Sequence, residues 1–300
     1  MHGLSSSLFR AMLLVILLLL AAPPTVAARD GVIQLNASRA AAGGVTAGDS
    51  PGHPVTISES GSYRLVGNLV TASDVSAIEI TADHVTLDLN GFSLTGIGSG
   101  NEEGIAIIGP RTDVEIRDGS VHDFGDAGIR SSDCSGCRVI RVRVFDNGWT
   151  GVLLGGQGNL IRDSTAWSNG SSGLYANGGS SFLRNVSHNN NTFGISLSGN
   201  GGTIANNTVY DNNSSGLAAR FGGHAVIRSN ASFSNGGDGI EATGGSVVVD
   251  NSVANNTGHG LDLTADCGYG GNVMRGNTAG TVDAGVQIDS NICEGNASCP

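Results

Sequence analysis

The sequence predicts an all-β fold, a right-handed parallel β-helix solenoid of about nine or ten coils of ~22 residues with a short N-terminal capping helix. Three observations predict it. A Gly followed by an aliphatic residue recurs at Gly104, Gly128, Gly151, Gly173, Gly194, Gly216, Gly239 and Gly260, at intervals of 21 to 24 residues. Residues that tolerate a left-handed backbone recur at Asp163, Asn185, Asn207, Asn230, Asn251 and Asn277, and earlier, past Arg141, which breaks the pattern, at Gly119, Gly91 and Asn68. A third column, four residues before the Gly, holds Asn147, Asn169, Asn190, Asn212, Asn235 and Asn256. Stacked amides at that turn would hydrogen-bond from coil to coil.

These columns account for stretches such as NNTFGISLSGNGGTIANNTVYDNNSSGL at 190–217. Asn and Gly form the corners, while alternating apolar residues such as Ile195 and Leu197 form short strands with one buried face. Handedness follows from the general preference of parallel crossovers. A leucine-rich repeat lacks its leucine spacing here, a helical solenoid would not tolerate 48 Gly, and a calcium-binding nonapeptide roll lacks its GGxGxD series.

Residues 1–28 run from Arg10 through AMLLVILLLLAA to PPTVAA, the order of a secretory signal peptide cleaved after Ala27 or Ala28. The apolar run is short for a membrane span and none follows it, so the expected product is secreted or periplasmic with no span in the mature chain. Residues 29–53 form the N-terminal cap, in which QLNASRAAAGG at 34–44 suits a short helix, with Asn36 as N-cap and Gly43 or Gly44 as its stop. Residues 54–266 carry the repeats. Residues 267–300 form the last coil and tail, where a disulfide is expected among Cys267, Cys293 and Cys299, the pair left open. Cys134 and Cys137 have CxxC spacing without a thioredoxin-like pattern and read as structural or vicinal. Five cysteines leave at least one unpaired within the chain.

The net charge of -11 argues against nucleic acid and anionic membrane surfaces as partners. All the basic residues are Arg, which excludes any mechanism that needs a lysine.

The pattern resembles the parallel β-helix repeat of the pectate-lyase-like superfamily, particularly its exported bacterial members without assigned activity. The likeness is carried by PVTISESGSYRLVGNLV (54–70), ITADHVTLDLNGFSLTG (80–96), the Gly-aliphatic series and NICEGNASCP, and covers nearly the whole mature chain. The resemblance implies contact with an extracellular polysaccharide; the fold itself does not fix an activity. Polygalacturonase-like chemistry would need paired Asp residues and an RxK segment, and neither is present, so Gly258-His259-Gly260 reads as a chance GHG match. The DPHD segment of alginate-epimerase-like enzymes is missing, with Val121-His122-Asp123 only a faint echo. Pectate-lyase-like chemistry would gather carboxylates around calcium and use an Arg base, and no diagnostic segment fixes one.

The repeat itself builds the candidate sites. Glu241 and Asp262 both stand two residues after the Gly and should stack outward about 5 Å apart, with Asp238 and His259 matched one residue before it. Such carboxylates would share a proton or hold a cation such as calcium, and His259 could move a proton. The alternative is a solvated acidic edge. Trp149, Tyr175 and Phe193 fall on successive coils, where rings can stack on sugars or pack into the turn. Arg130, Arg162 and Arg184 could contact an acidic glycan or pair with neighbouring carboxylates. An insertion near 96–104 makes Asn101, Glu102 and Glu103 a candidate rim.

Three functions are therefore expected from this sequence: binding or organising an extracellular polysaccharide; a lyase or epimerase acting on an acidic glycan through Asp238, Glu241, His259 and Asp262; or a purely structural surface protein. Oligomeric state is left open.

Overall fold

The computed structural model describes residues 31–72, 74–294 and Cys299. The expected signal peptide at 1–28 lies outside the described residues. Among them, strands of successive coils pair in parallel, forming an eleven-stranded first sheet and a twenty-one-stranded second sheet that takes up most of the rest of each coil. The first sheet consists of the strands that follow the repeat Gly, among them Ile195–Asn200, Leu217–Gly223, Ile240–Ala242 and His259–Leu263. Register stacks like on like: Ile195, Leu217, Ile240 and Leu261 are aligned from coil to coil and are all fully buried. The core is a column of such aliphatic layers, with Tyr63, Phe124 and Phe182 as its largest buried rings.

There are eleven coils rather than nine or ten, because the Gly marker is replaced at both ends. Register places Pro54 and Ala77 at the Gly position of the first two coils and Thr281 at that of the last.

Two asparagine ladders hold the corners. In one, amide-to-carbonyl bonds of 3.0 Å run from Asn190 to Asn212 and from Asn212 to Asn235, and the ladder continues through Asn256 to Asn277. Each member is satisfied on both sides. The Asn212 carbonyl accepts from the Asn190 backbone N–H at 3.1 Å as well as from its amide, while the Asn212 amide also donates to Ser187 O at 3.1 Å. The second ladder runs through Asn185, Asn207, Asn230, Asn251, Asn272 and Asn291 with the same 3.0 Å spacing.

This corrects the reading of the bend column. Arg141, Asp163 and Gly91 do have left-handed φ, but at the other corners the bend sits one residue earlier, on Asp118, Arg184, Asn206, Ser229 and Asp250. From Arg184 onward the following Asn is turned inward as a ladder member, and Asn277 belongs to the other ladder, with Asn272 in its place. Left-handed residues likewise precede the first ladder, as at Asn189 and Asp211.

The repeat Gly serves close approach rather than a left-handed bend. A Cβ on Gly194 would stand 2.8 Å from the Asn212 amide nitrogen and 2.8 Å from Gly216 O, closer than side-chain carbons are found.

The N-terminal helix spans Ala37–Ala42; Asn36 caps it by accepting from the Arg39 N–H at 2.8 Å, and Gly43 ends it at φ 69°. Disulfides join Cys134 to Cys137 and Cys293 to Cys299, and Cys267 is a buried free thiol. The tail bridge therefore uses the last two cysteines.

Replacing Asn212→Ala takes the acceptor from the Asn190 backbone N–H and the amide donor from Ser187 O, while the Asn190 amide keeps Ser187 Oγ and Ala166 O. A loss of about 3 kcal/mol is expected, at 1–3 kcal/mol per buried unpaired group. Urea denaturation, with hydrogen exchange to localise the weakened coils, measures it.

Candidate functional site

Alternation along the first sheet sends Ile195 and Leu197 inward and Ser196 outward, and parallel register repeats this on every coil. One outward row consequently runs Arg130, Leu153, Tyr175, Ser196, then Ala218, Glu241, Asp262 and Asp283. Its first half is aromatic and hydroxylic; its second half is acidic.

The aromatic half is a groove of 500 Å³ whose lining includes Trp149, Tyr175, Phe193, Ser196, Arg220 and Phe221. Ser132, Asn177 and Ser198 are shared with an adjoining polar cavity of 720 Å³, so the two are continuous. An arginine stands at each end of the groove. Arg130 Nη1 donates to Glu103 Oε1 and to Asp126 Oδ2, both at 3.0 Å, and its guanidinium lies 5.6 Å from the Trp149 ring centre. Arg220 lies 4.6 Å from the Phe193 ring centre and is ion-paired with Glu241. Burial pushes the Asp126 carboxyl up, with Arg130 pulling it back.

At the acidic half, Asp238, Glu241 and Asp262 each offer an oxygen within 4.8 Å of the others, a spacing that could hold a divalent cation. Asp238 Oδ1 accepts from the His259 backbone N–H at 2.7 Å and lies 3.7 Å from His259 Nδ1. Burial raises the Asp262 carboxyl above the ordinary carboxylate range, and the like charges of Asp238, Glu241 and Asp283 add to it, while His259 opposes. Carboxylates beside a histidine are the groups that proton transfer at a carbon acid requires.

The structure thus brings Asp238, Glu241, His259 and Asp262 together, and Trp149, Tyr175 and Phe193 into one groove with Arg130 at its end. It separates Arg184, which lies on the second sheet and pairs with Asp163 at 2.7 and 3.0 Å, and Arg162, which lies beside the same carboxylate. It also removes Glu102 from the proposed rim. That side chain is 3% exposed, accepts from Gly125 N–H at 3.0 Å, and has its carboxyl raised by burial and then by its hydrogen bond with Asp74. Glu103 serves Arg130 instead.

Sequence reasoning missed Arg220, Phe221 and a second aromatic feature. His122, Phe145, Trp167, His188, Tyr210 and Phe233 stack in one column on the second sheet, with ring centres 4.2 to 6.0 Å apart. Their 21- to 23-residue spacing was the available signal. Inner rings of this column have both faces occupied by neighbours, so it aligns coils rather than offering a stacking surface, at about 0.5–1.5 kcal/mol per pair. His122 also donates through Nδ1 to Asp123 Oδ2, 2.8 Å away, and its strand Glu115–His122 puts the Val121-His122-Asp123 segment at the other sheet from the groove.

The chain matches the model described as "Right handed beta helix region" over residues 30–185 and 150–296, and it belongs to that family. A search of curated proteins finds no match. Among solved structures it is similar to the A-module of the mannuronan C-5 epimerase AlgE6 of Azotobacter vinelandii, with 15% identity and a TM-score of 0.53 over 75% of this chain and 80% of that one. The Dettilon tailspike protein gives 16% identity and a TM-score of 0.55 over 78% of this chain and 54% of that one. A variant of the periplasmic alginate epimerase AlgG gives 14% identity and 0.51 over 78% and 74%. Likeness at this identity establishes the fold.

A raised carboxyl binds its proton more tightly in the folded than in the unfolded chain. Its contribution to stability is therefore full below the unfolded value and lost as pH rises through the folded one. Asp262→Asn should accordingly raise the denaturation midpoint at pH 7, with the gain vanishing toward about pH 3. Thermal denaturation across pH checks this.

Proposed function

We propose that this protein binds or organises a polysaccharide along the outer face of its first sheet. The observation that carries the reading is the groove in which Trp149, Tyr175 and Phe193 meet beside hydroxyl and amide groups. Rings supply stacking surface for sugars, and the hydroxyl-rich lining supplies hydrogen bonds. Coils repeat every ~4.8 Å, so a polymer lying along the row meets a new set of outward side chains at each step. The neighbours AlgE6 and AlgG are, by name, epimerases of mannuronan and alginate, which is consistent with a glycan ligand.

The proposal extends to location and organisation. Residues 1–28 act as a leader that sends the protein outside the cytoplasm, 29–53 as the cap, 54–266 as the repeats and 267–300 as the closing segment. Among the described residues no helix is long and apolar enough to cross a membrane.

A second reading, a lyase or epimerase acting on an acidic glycan, draws on the convergence of Asp238, Glu241, His259 and Asp262. Calcium held by the three carboxylates would neutralise a uronate carboxylate and His259 would take the proton from the adjacent carbon; in a lyase the electron pair would expel the 4-O-linked sugar, and in an epimerase a proton would return to the opposite face.

Screening the protein against acidic and neutral polysaccharides, with and without calcium, tests both. Binding is expected to weaken about tenfold in Tyr175→Ala, the change of about 1.4 kcal/mol that losing a stacked ring produces. Ultraviolet absorbance from unsaturated uronate that disappears in Asp262→Ala would establish the lyase instead.

A further inference from the structure

Phe221 is the least economical residue on this surface. It is 82% exposed, and its backbone is left-handed at φ 61°, a strained conformation that is a genuine outlier for a bulky residue. The adjoining coils show that the fold does not require it. The strand pairing shifts register here, between Ser198 and Asn200. One residue beyond Ser198 the previous coil carries Gly199 at φ 103°, and two residues beyond Ala242 the following coil carries Gly244 at φ 60°. Glycine takes such a bend without strain, yet this coil places a phenyl ring there, at the rim of the groove that holds Tyr175 and Phe193.

Charge narrows what that ring would cover. Both arginines of the groove are already neutralised, Arg130 by Glu103 and Asp126 and Arg220 by Glu241. Beyond Arg220 stand Asp262 of the outward row and Asp238 beside it, in a protein of net charge -11. A polyanion lying here would meet no free cation and a facing row of carboxylates. An uncharged sugar would meet rings and the neutral polar groups of Asn177, Thr192, Ser196 and Ser198.

Resting on the glycan reading above, we infer that the groove takes an uncharged glycan and that Phe221 is its rim stacking residue, held in a strained backbone for that contact. The ring packs against the sugar from the side opposite the groove floor, and its exposure in the free protein is the surface the ligand covers.

Isothermal titration with neutral gluco- and manno-oligosaccharides and with polyuronate oligosaccharides of equal length, in EDTA, tests this. Neutral oligosaccharides are expected to bind at least about tenfold more tightly than polyuronates. Phe221→Tyr should bind as the wild type does. Phe221→Gly, which suits the left-handed bend, should be at least as stable to heat yet bind about tenfold more weakly. Unchanged binding in Phe221→Gly, or polyuronates binding as tightly as neutral chains, would overturn the inference. If polyuronates are preferred, the glycan reading stands and only the uncharged assignment falls; if neither class binds the wild type, both fall together.

Discussion

Each coil must turn its corners inside a dry core while stacking ~4.8 Å from the next coil, and the corner asparagines are what reconcile these demands. An aliphatic core fills the interior but does not fix how one coil is rotated over another, because burial is non-directional. The ladders fix it. Asn212 takes two bonds from Asn190 and gives two to Asn235, so a coil that slipped would orphan buried groups on both sides. The repeat Gly follows from the same contact, since the amide of Asn212 comes up to where a Cβ on Gly194 would stand.

A scaffold fixed in this way stacks equivalent positions, and the outward rows amplify whatever is placed in them. On the second sheet this is favourable: rings from His122 to Phe233 lie face to face. On the first sheet it sets Glu241, Asp262 and Asp283 over one another, and their like charges add to the burial that raises the Asp262 carboxyl. Elsewhere carboxylates of the solenoid are matched by arginine, as Asp118 is by Arg141 and Asp163 by Arg184. Uncompensated charge and left-handed Phe221 thus fall on neighbouring coils of one face, and such local conflicts concentrate where a protein serves its ligand rather than its fold.

Much of this was legible because the repeat writes one structural constraint many times. The Gly series located the first sheet, and the amide column through Asn256 located a ladder before any contact was known. The bend column was read one residue late because an inward-turned Asn and a left-handed residue sit side by side, and both favour Asn, Asp and Ser. The end coils were missed because Pro54, Ala77 and Thr281 replace the marker. Matched offsets from the Gly brought out Asp238, Glu241, His259 and Asp262. Arg220 and Phe221 were invisible to that method, since one reaches across coils to Phe193 and Glu241 and the other depends on a register shift.

Arg220 also determines how the two halves of the row relate. It lies over Phe193 on one side and pairs with Glu241 on the other, so it separates the aromatic groove from the carboxylates while neutralising the nearest of them. From the coil of Gly151, beside Trp149, to that of Gly260, beside Asp262, is five coil steps, about 24 Å at ~4.8 Å each. A ligand of one or two sugars would touch a single half and sense either rings or carboxylates. Only an extended chain would span both, and on the proposed glycan reading the rings would fix its position while the acidic end faced a distant unit of the same polymer. Removing the charge of Arg220 would therefore act on both halves at once, leaving Phe193 without its cation and adding the unpaired Glu241 carboxylate to the side chains around Asp262.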